Sequence, residues 1–157
     1  MEVMTLRSES EASTILLGEQ FASELQVGDV IALEGDLGAG KTEFVKGICQ
    51  YFAVADLVTS PTFTIINQYD GEKPDGGTVK IYHVDLYRID SPAELAEVGF
   101  DDMVFAHDAI KLIEWPEKAA HLMPEKRWIV SIQTDESNDD ARTITISSPH
   151  IPASANI

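Results

Sequence analysis

Hydrophobic positions along this chain switch between helical and strand spacing, and the order of the switches predicts an α/β fold. Leu17, Phe21 and Leu25 recur every fourth residue with Ala22 beside them and Gly28 beyond, which predicts an amphipathic helix from about Ser10 to Leu25 stopped by glycine. Val30 to Leu33 is too short an apolar run for a helix and reads as a buried strand that enters Gly35 directly. Phe44, Val45, Ile48 and Phe52 return to helical spacing, so a second helix is expected from Lys41 to about Phe52. Thr62 to Tyr69 and Thr78 to Leu86 are rich in β-branched and aromatic residues, and they flank a charged loop from Asp70 to Gly77, which predicts a hairpin. Ser91-Pro92-Ala93-Glu94 supplies an N-cap, a proline for the first helical position and a capping-box Glu, with Gly99 closing a short helix. Ala109 to Ile113 reads as another buried strand ending at Glu114-Trp115-Pro116. Trp128, Val130 and Ile132, then Ile144 and Ile146, alternate across the polar stretch Asp135 to Asp140 as an antiparallel pair. Together these elements predict a three-layer sandwich whose sheet is parallel at its centre and antiparallel at its edges.

Length and charge narrow the picture. The chain has 157 residues, enough for a single domain, taken here as 1–148 with a frayed tail over 149–157. Its net charge of −16 disfavours direct holding of nucleic acid, whose phosphates are bound by clustered Lys and Arg, and disfavours an anionic membrane surface. Cys49 is the single cysteine, so no intramolecular disulfide is possible, and its place among Val45, Ile48 and Phe52 suggests a buried structural thiol. Met1 to Ser10 lacks the layout of a secretory signal, and no apolar run is long enough to span a bilayer, so the cytoplasm is the expected compartment. His83, His107, His121 and His150 share no metal-ligand spacing, and packing or surface roles are expected of them.

Candidate chemistry centres on Gly35-Asp36-Leu37-Gly38-Ala39-Gly40-Lys41-Thr42, which matches GxxxxGK[ST] between a predicted strand and a predicted helix. Glycines let backbone N–H groups turn inward around phosphate oxygens, and the helix N-terminus behind them adds partial positive charge. Lys41 would reach the β- and γ-phosphates, and the Thr42 hydroxyl would ligate Mg²⁺. Asp85 and Glu114 each end an apolar strand, so both could emerge at the carboxyl edge of the sheet beside this loop and serve metal or water. Spacing does not decide which of them contacts the metal, and a cap or a solvated carboxylate is the plain alternative for either. Val58 to Thr64 carries hydroxyls where nucleotide switches sense a γ-phosphate, and a simple Ser-Pro-Thr turn into a strand reads equally well. A small-molecule kinase would need arginines over the phosphates and an inserted lid, yet the chain offers only Arg7, Arg88, Arg127 and Arg142. A nucleotide-gated binding module with incidental turnover stays open as the non-enzyme alternative.

Four blocks taken together, Leu33 to Thr42, Ser60 to Thr64, Tyr82-His83-Val84-Asp85-Leu86-Tyr87-Arg88 and Ile113-Glu114-Trp115-Pro116, resemble the bacterial TsaE (YjeE) family of tRNA threonylcarbamoyladenosine biosynthesis ATPases. The resemblance runs from about Ser10 to Ser147 in order and spacing. It implies a P-loop ATPase that assists the threonylcarbamoyl modification of adenosine 37 in tRNAs reading codons that begin with A. On that basis the chain would act on the TsaB–TsaD pair, with ATP binding and hydrolysis resetting the complex between turnovers. Carried over residue by residue, the resemblance makes Asp36, Leu37, Gly38, Ala39, Gly40, Lys41 and Thr42 the phosphate loop. It gives the metal to Thr42, Glu114 and Asp85, with Glu114 also serving water, and the switch to Ser60 and Thr62. Trp115 would lie at the nucleotide edge, and Glu11 and Thr14 would approach the adenine. One position departs from the family pattern: many members place a second Thr after the Lys-Thr pair, and Glu43 stands here, a carboxylate beside bound phosphates that lowers the expected affinity.

Overall fold

The computed structural model describes residues 3–61 and 64–149; the candidate switch residue Thr62 and all of the expected tail beyond Pro149 lie outside the described residues. Within them the chain runs β1 (Val3–Ser8), α1 (Glu11–Ala22), β2 (Val30–Glu34), α2 (Lys41–Tyr51), β3 (Ile66–Glu72), β4 (Thr78–Asp85), α3 (Pro92–Glu97), α4 (Phe100–Val104), β5 (Ala109–Glu114), a short 3-10 helix (Pro116–Leu122), β6 (Trp128–Asp135) and β7 (Asn138–Ser147). The described strands form one sheet ordered β1-β7-β6-β2-β5-β4-β3. Neighbours from β6 through β2 and β5 to β4 are parallel, while β3, β7 and β1 join antiparallel. The expected parallel centre and antiparallel edges are thus present.

Strand alternation sends side chains to two cores. Ile31, Leu33, Ile81, Ile110, Leu112, Val130 and Ile132 pack with Phe21, Phe44, Val45 and Ile48 under α1 and α2. Val30, Val84 and Ile113 pack on the other face with Leu95, Phe100 and Val104 from α3 and α4. The central strand β5 is buried at every position, as a strand covered on both faces must be. Behind the phosphate loop, α1 and α2 cross closely. A Cβ on Gly18 would overlap the Phe44 carbonyl, and one on Gly47 would overlap the Ile15 carbonyl, so only glycine permits this approach.

Several boundaries differ from expectation for local reasons. The helix α1 starts after Ser10, whose Oγ accepts a hydrogen bond from Ser13 N at 3.1 Å, but it ends at Ala22 rather than Leu25. Leu25 is still buried, held by the turn that follows. The β3–β4 ladder reaches Glu72 and Thr78, so the hairpin loop is shorter than the charged stretch suggests. Gly99, read as a helix stop, also begins α4 from a left-handed conformation (φ 71°). The expected capping box does not form: Ser91 makes no side-chain cap, and Glu94 reaches past it to accept from Asp90 N at 3.3 Å. Neither β1 nor the 3-10 helix was expected. The strand β1 is an edge strand paired with β7, and Val3 and Met4 stay exposed, so its burial pattern carries little alternation.

Candidate phosphate-binding site

The loop Gly35–Gly40 connects the carboxyl end of β2 to the amino end of α2, where helix N–H groups have no intrahelical partner. Gly38 (φ 81°) and Gly40 (φ 106°) hold left-handed backbone, and Gly40 is the N-cap of α2. Around Gly38 a Cβ would meet no atom within 4 Å, so the loop is open there. Lys41, the first residue of α2, is only 5 % exposed. Its Nζ donates to the Gly35 carbonyl at 2.6 Å and lies 3.8 Å from the centre of the Trp115 ring. Burial pulls this ammonium below its ordinary range, and the charges of Glu114, Asp85, Glu117 and Asp36 oppose that pull. Thr42 and Glu43 follow in the first turn, both half-buried.

The two strand-end acids are brought side by side. Asp85 pairs directly with Glu114 across the parallel β4–β5 ladder, and Glu114 in turn pairs with Leu33 just before the loop. Each therefore stands at the carboxyl edge next to the phosphate loop, and both sit on the face that α2 covers. Asp85 organises its surroundings: Oδ2 accepts from Ser60 Oγ at 2.8 Å and Oδ1 accepts from Tyr87 N at 2.9 Å. The candidate switch hydroxyl Ser60 is thereby joined to a candidate metal acid, while Thr62 lies outside the described residues. Asp85 N also donates to the Ile65 carbonyl at 2.8 Å, and Ile65 holds a φ of 67°, a strained setting for a β-branched side chain. Trp115 is strained likewise, at φ 60°, and its ring also meets Tyr87 with centroids 5.0 Å apart.

Glu114 carries a contact that spacing did not reveal. Its Oε2 lies 2.6 Å from His83 Nε2, and both side chains are buried. A packing or surface role was expected of His83. Its position in β4, alternating with Val79 and Ile81, gave no other signal, and only the β4–β5 pairing brings it to Glu114. Arg142 on β7 was also passed over: its Nε donates to the Ala39 carbonyl at 2.8 Å, bracing the phosphate loop from two strands away. A polar cavity of about 280 Å³ opens there, lined by Glu11, Thr14, Gly38, Gly40, Glu43 and Arg142 among others. Glu11 and Thr14, which the resemblance assigns to the adenine, line this cavity together with Gly38 and Gly40 of the phosphate loop, and Glu43 lines it too. Cys49 is buried as expected, and burial pushes its thiol up to about 12.

Comparison with known proteins gives the family and the fold. The family model "Threonylcarbamoyl adenosine biosynthesis protein TsaE" matches residues 8–144. A tRNA threonylcarbamoyladenosine biosynthesis protein TsaE from Haemophilus influenzae is 38 % identical over 151 residues, covering 93 % of this chain and 90 % of the relative. Its Bacillus subtilis counterpart is 34 % identical over 145 residues, covering 92 % and 85 %. The crystal structure of Bacillus subtilis YdiB superposes with a TM-score of 0.74 at 31 % identity, over 95 % of this chain and 87 % of that one. With the match spanning the phosphate loop, both strand-end acids and the Ser60 segment, the chain belongs to the TsaE family.

Proposed function

We propose that this protein binds ATP with Mg²⁺ and hydrolyses it, and that this cycle serves threonylcarbamoyl modification of tRNA through the TsaB–TsaD pair. The observation that carries the reading is the convergence of Lys41 with Asp85 and Glu114: one buried cation and two adjacent carboxylates around an open glycine loop at a helix N-terminus. Loop N–H groups and Lys41 receive the phosphates. A phosphate oxygen offers Lys41 a stronger partner than the Gly35 carbonyl and the Trp115 face it now contacts. Mg²⁺ fits the oxygen donors Thr42, Asp85 and Glu114. Among the described residues no group of three or more His, Cys, Asp or Glu forms a cage, so phosphate and water would complete its shell, which is this ion's habit. When bound, the ion spreads the charge that develops on the β- and γ-phosphate oxygens. Glu114 orients water and takes its proton. Ser60, held by Asp85, links that centre to the Ser60–Thr64 segment and so to a partner surface.

The charge of −16 bears on the division of labour. A strongly acidic protein is poorly suited to hold tRNA, so the RNA surface belongs to the partners and this chain contributes nucleotide-driven conformational work in the cytoplasm. Hydrolysis is measured alone and with purified TsaB–TsaD, beside ATP binding by calorimetry. The expected result is slow turnover alone, clear stimulation by the pair, and assembly favoured by ATP over ADP. Tight binding to bare tRNA at physiological salt with no response to TsaB–TsaD would overturn the reading.

A further inference from the structure

We infer that His83 is the positioning residue for Glu114, donating the hydrogen bond that holds its carboxylate in one orientation for hydrolysis. This rests on the reading of Glu114 as the acid that serves water. His83 is fully buried in β4, and its Nε2 lies 2.6 Å from Glu114 Oε2 on the neighbouring strand. A carboxylate oxygen accepts, so the hydrogen of this bond sits on Nε2. Among the described residues Nδ1 has no hydrogen-bond partner. Space-filling alone does not call for a histidine here: an apolar residue fills the same space without burying an unmatched polar nitrogen. What His83 does that an apolar residue cannot is reach Glu114. The bond ties up Oε2 from the core side. Tied there, the carboxylate cannot swing freely between rotamers, and the imidazole engages Oε2 alone. Groups that hold a working carboxylate or imidazole in this way typically matter by about 10- to 100-fold.

The test uses the full chain, with single-turnover ATP hydrolysis, ATP affinity and melting temperature measured for His83→Ala, His83→Asn and His83→Gln. The Gln amide nitrogen reaches the place of imidazole Nε2, whereas Asn falls short. The expected result is a kcat lowered about 10- to 100-fold in the Ala and Asn variants, unchanged ATP affinity in all three, and substantial recovery in the Gln variant. Adding His83→Ala to Glu114→Gln should cost nothing further, because the residue acts through Glu114. Equal loss in all three variants, parental kcat in the Ala and Asn variants, or a further loss in the double variant would each overturn the inference. If His83→Ala does not fold, the contrast between Asn and Gln decides. The single variant Glu114→Gln separates the two levels: parental hydrolysis there defeats the reading of Glu114 and this inference with it, while an inactive Glu114→Gln beside a fully active His83→Ala defeats only the inference.

Discussion

Two lysines are buried in this fold, one at each end of the central strands, and they are buried for different ends. Lys111 on β5, 1 % exposed, pairs with Val30 at the start of β2, and its Nζ donates to the carbonyls of Gly28, at 3.0 Å, and Ala106. Lys41, 5 % exposed, stands at the other end and meets one loop carbonyl and an aromatic face. Burial pulls both ammonium groups below the ordinary value of 10.5. The charges opposing that pull differ: Asp108 and Asp29 act on Lys111, while four acids, led by Glu114 and Asp85, act on Lys41. Lys111 plugs a carbonyl-lined gap where the α1–β2 and α4–β5 connections meet. Lys41 makes contacts that an incoming anion can replace. Burial of a cation is therefore no mark of function by itself; the replaceability of its partners is what separates the two.

Exchanging the phenotypes of the two lysines would break that comparison. Lys41→Ala should lower ATP hydrolysis by about 10²- to 10³-fold, the scale of losing one preorganised charge from a reacting centre, with an unchanged melting temperature. Lys111→Met should leave hydrolysis at the parental level and lower stability by about 2 kcal/mol, because two buried carbonyls lose their donor. Urea unfolding beside single-turnover hydrolysis reads both variants. Gly47→Ala tests whether the loop end depends on the helix crossing behind it. Its methyl group would overlap the Ile15 carbonyl, so a loss of about 3 kcal/mol is expected, measured by urea unfolding.

The lysine at the amino end also has a pH signature. Its folded pKa lies below the unfolded 10.5, so the folded state binds its proton less tightly. The resulting cost is present in full below the folded value and is relieved as pH climbs toward 10.5. The parent's lead over Lys111→Met should therefore widen between neutral and alkaline pH. A stability difference that moves the other way would show that the carbonyls favour the charge more than burial opposes it.

Legibility differed along the same axis. The phosphate loop was fully visible, because its chemistry is local: glycines at fixed spacing, then Lys41 and Thr42. Asp85 and Glu114 were visible singly as strand-end acids. Their adjacency was not, since it depends on β4 lying beside β5, a pairing that no short window contains. His83 was missed for the same reason, and Arg142 too, whose partner Ala39 lies a whole sheet away in sequence. The strand β1 was missed because an edge strand with one partner and exposed Val3 and Met4 does not need a hydrophobic rhythm. Gly99 was half read, because one left-handed glycine can both stop a helix and start the next.

The smallest expected effect concerns a third carboxylate at the same sheet edge. Asp135 ends β6, which runs parallel to β2, so by strand position alone it ranks with Asp85 and Glu114. Its bonds differ. Oδ1 accepts from Ser137 N at 2.8 Å and from Ser137 Oγ at 2.7 Å, and Oδ2 lies 3.0 Å from the Arg7 guanidinium. These partners, Ser137 foremost, hold its pKa down to about 2. Ser137→Ala and Arg7→Ala should therefore each raise the Asp135 pKa, as read by carboxyl-carbon NMR titration. A depressed carboxylate favours folding above its ordinary 3.8, and that benefit is lost as pH falls through about 2. At this partly exposed surface site, solvent screening keeps it too small to move the melting temperature at neutral pH. Asp135→Asn should leave ATP hydrolysis at the parental rate, because Asp135, unlike Asp85 and Glu114, is not among the acids whose charge acts on Lys41. Loss of hydrolysis in that variant would mean that place on the sheet edge, rather than the set of partners, makes a working acid, and the distinction drawn from the two lysines would fail with it.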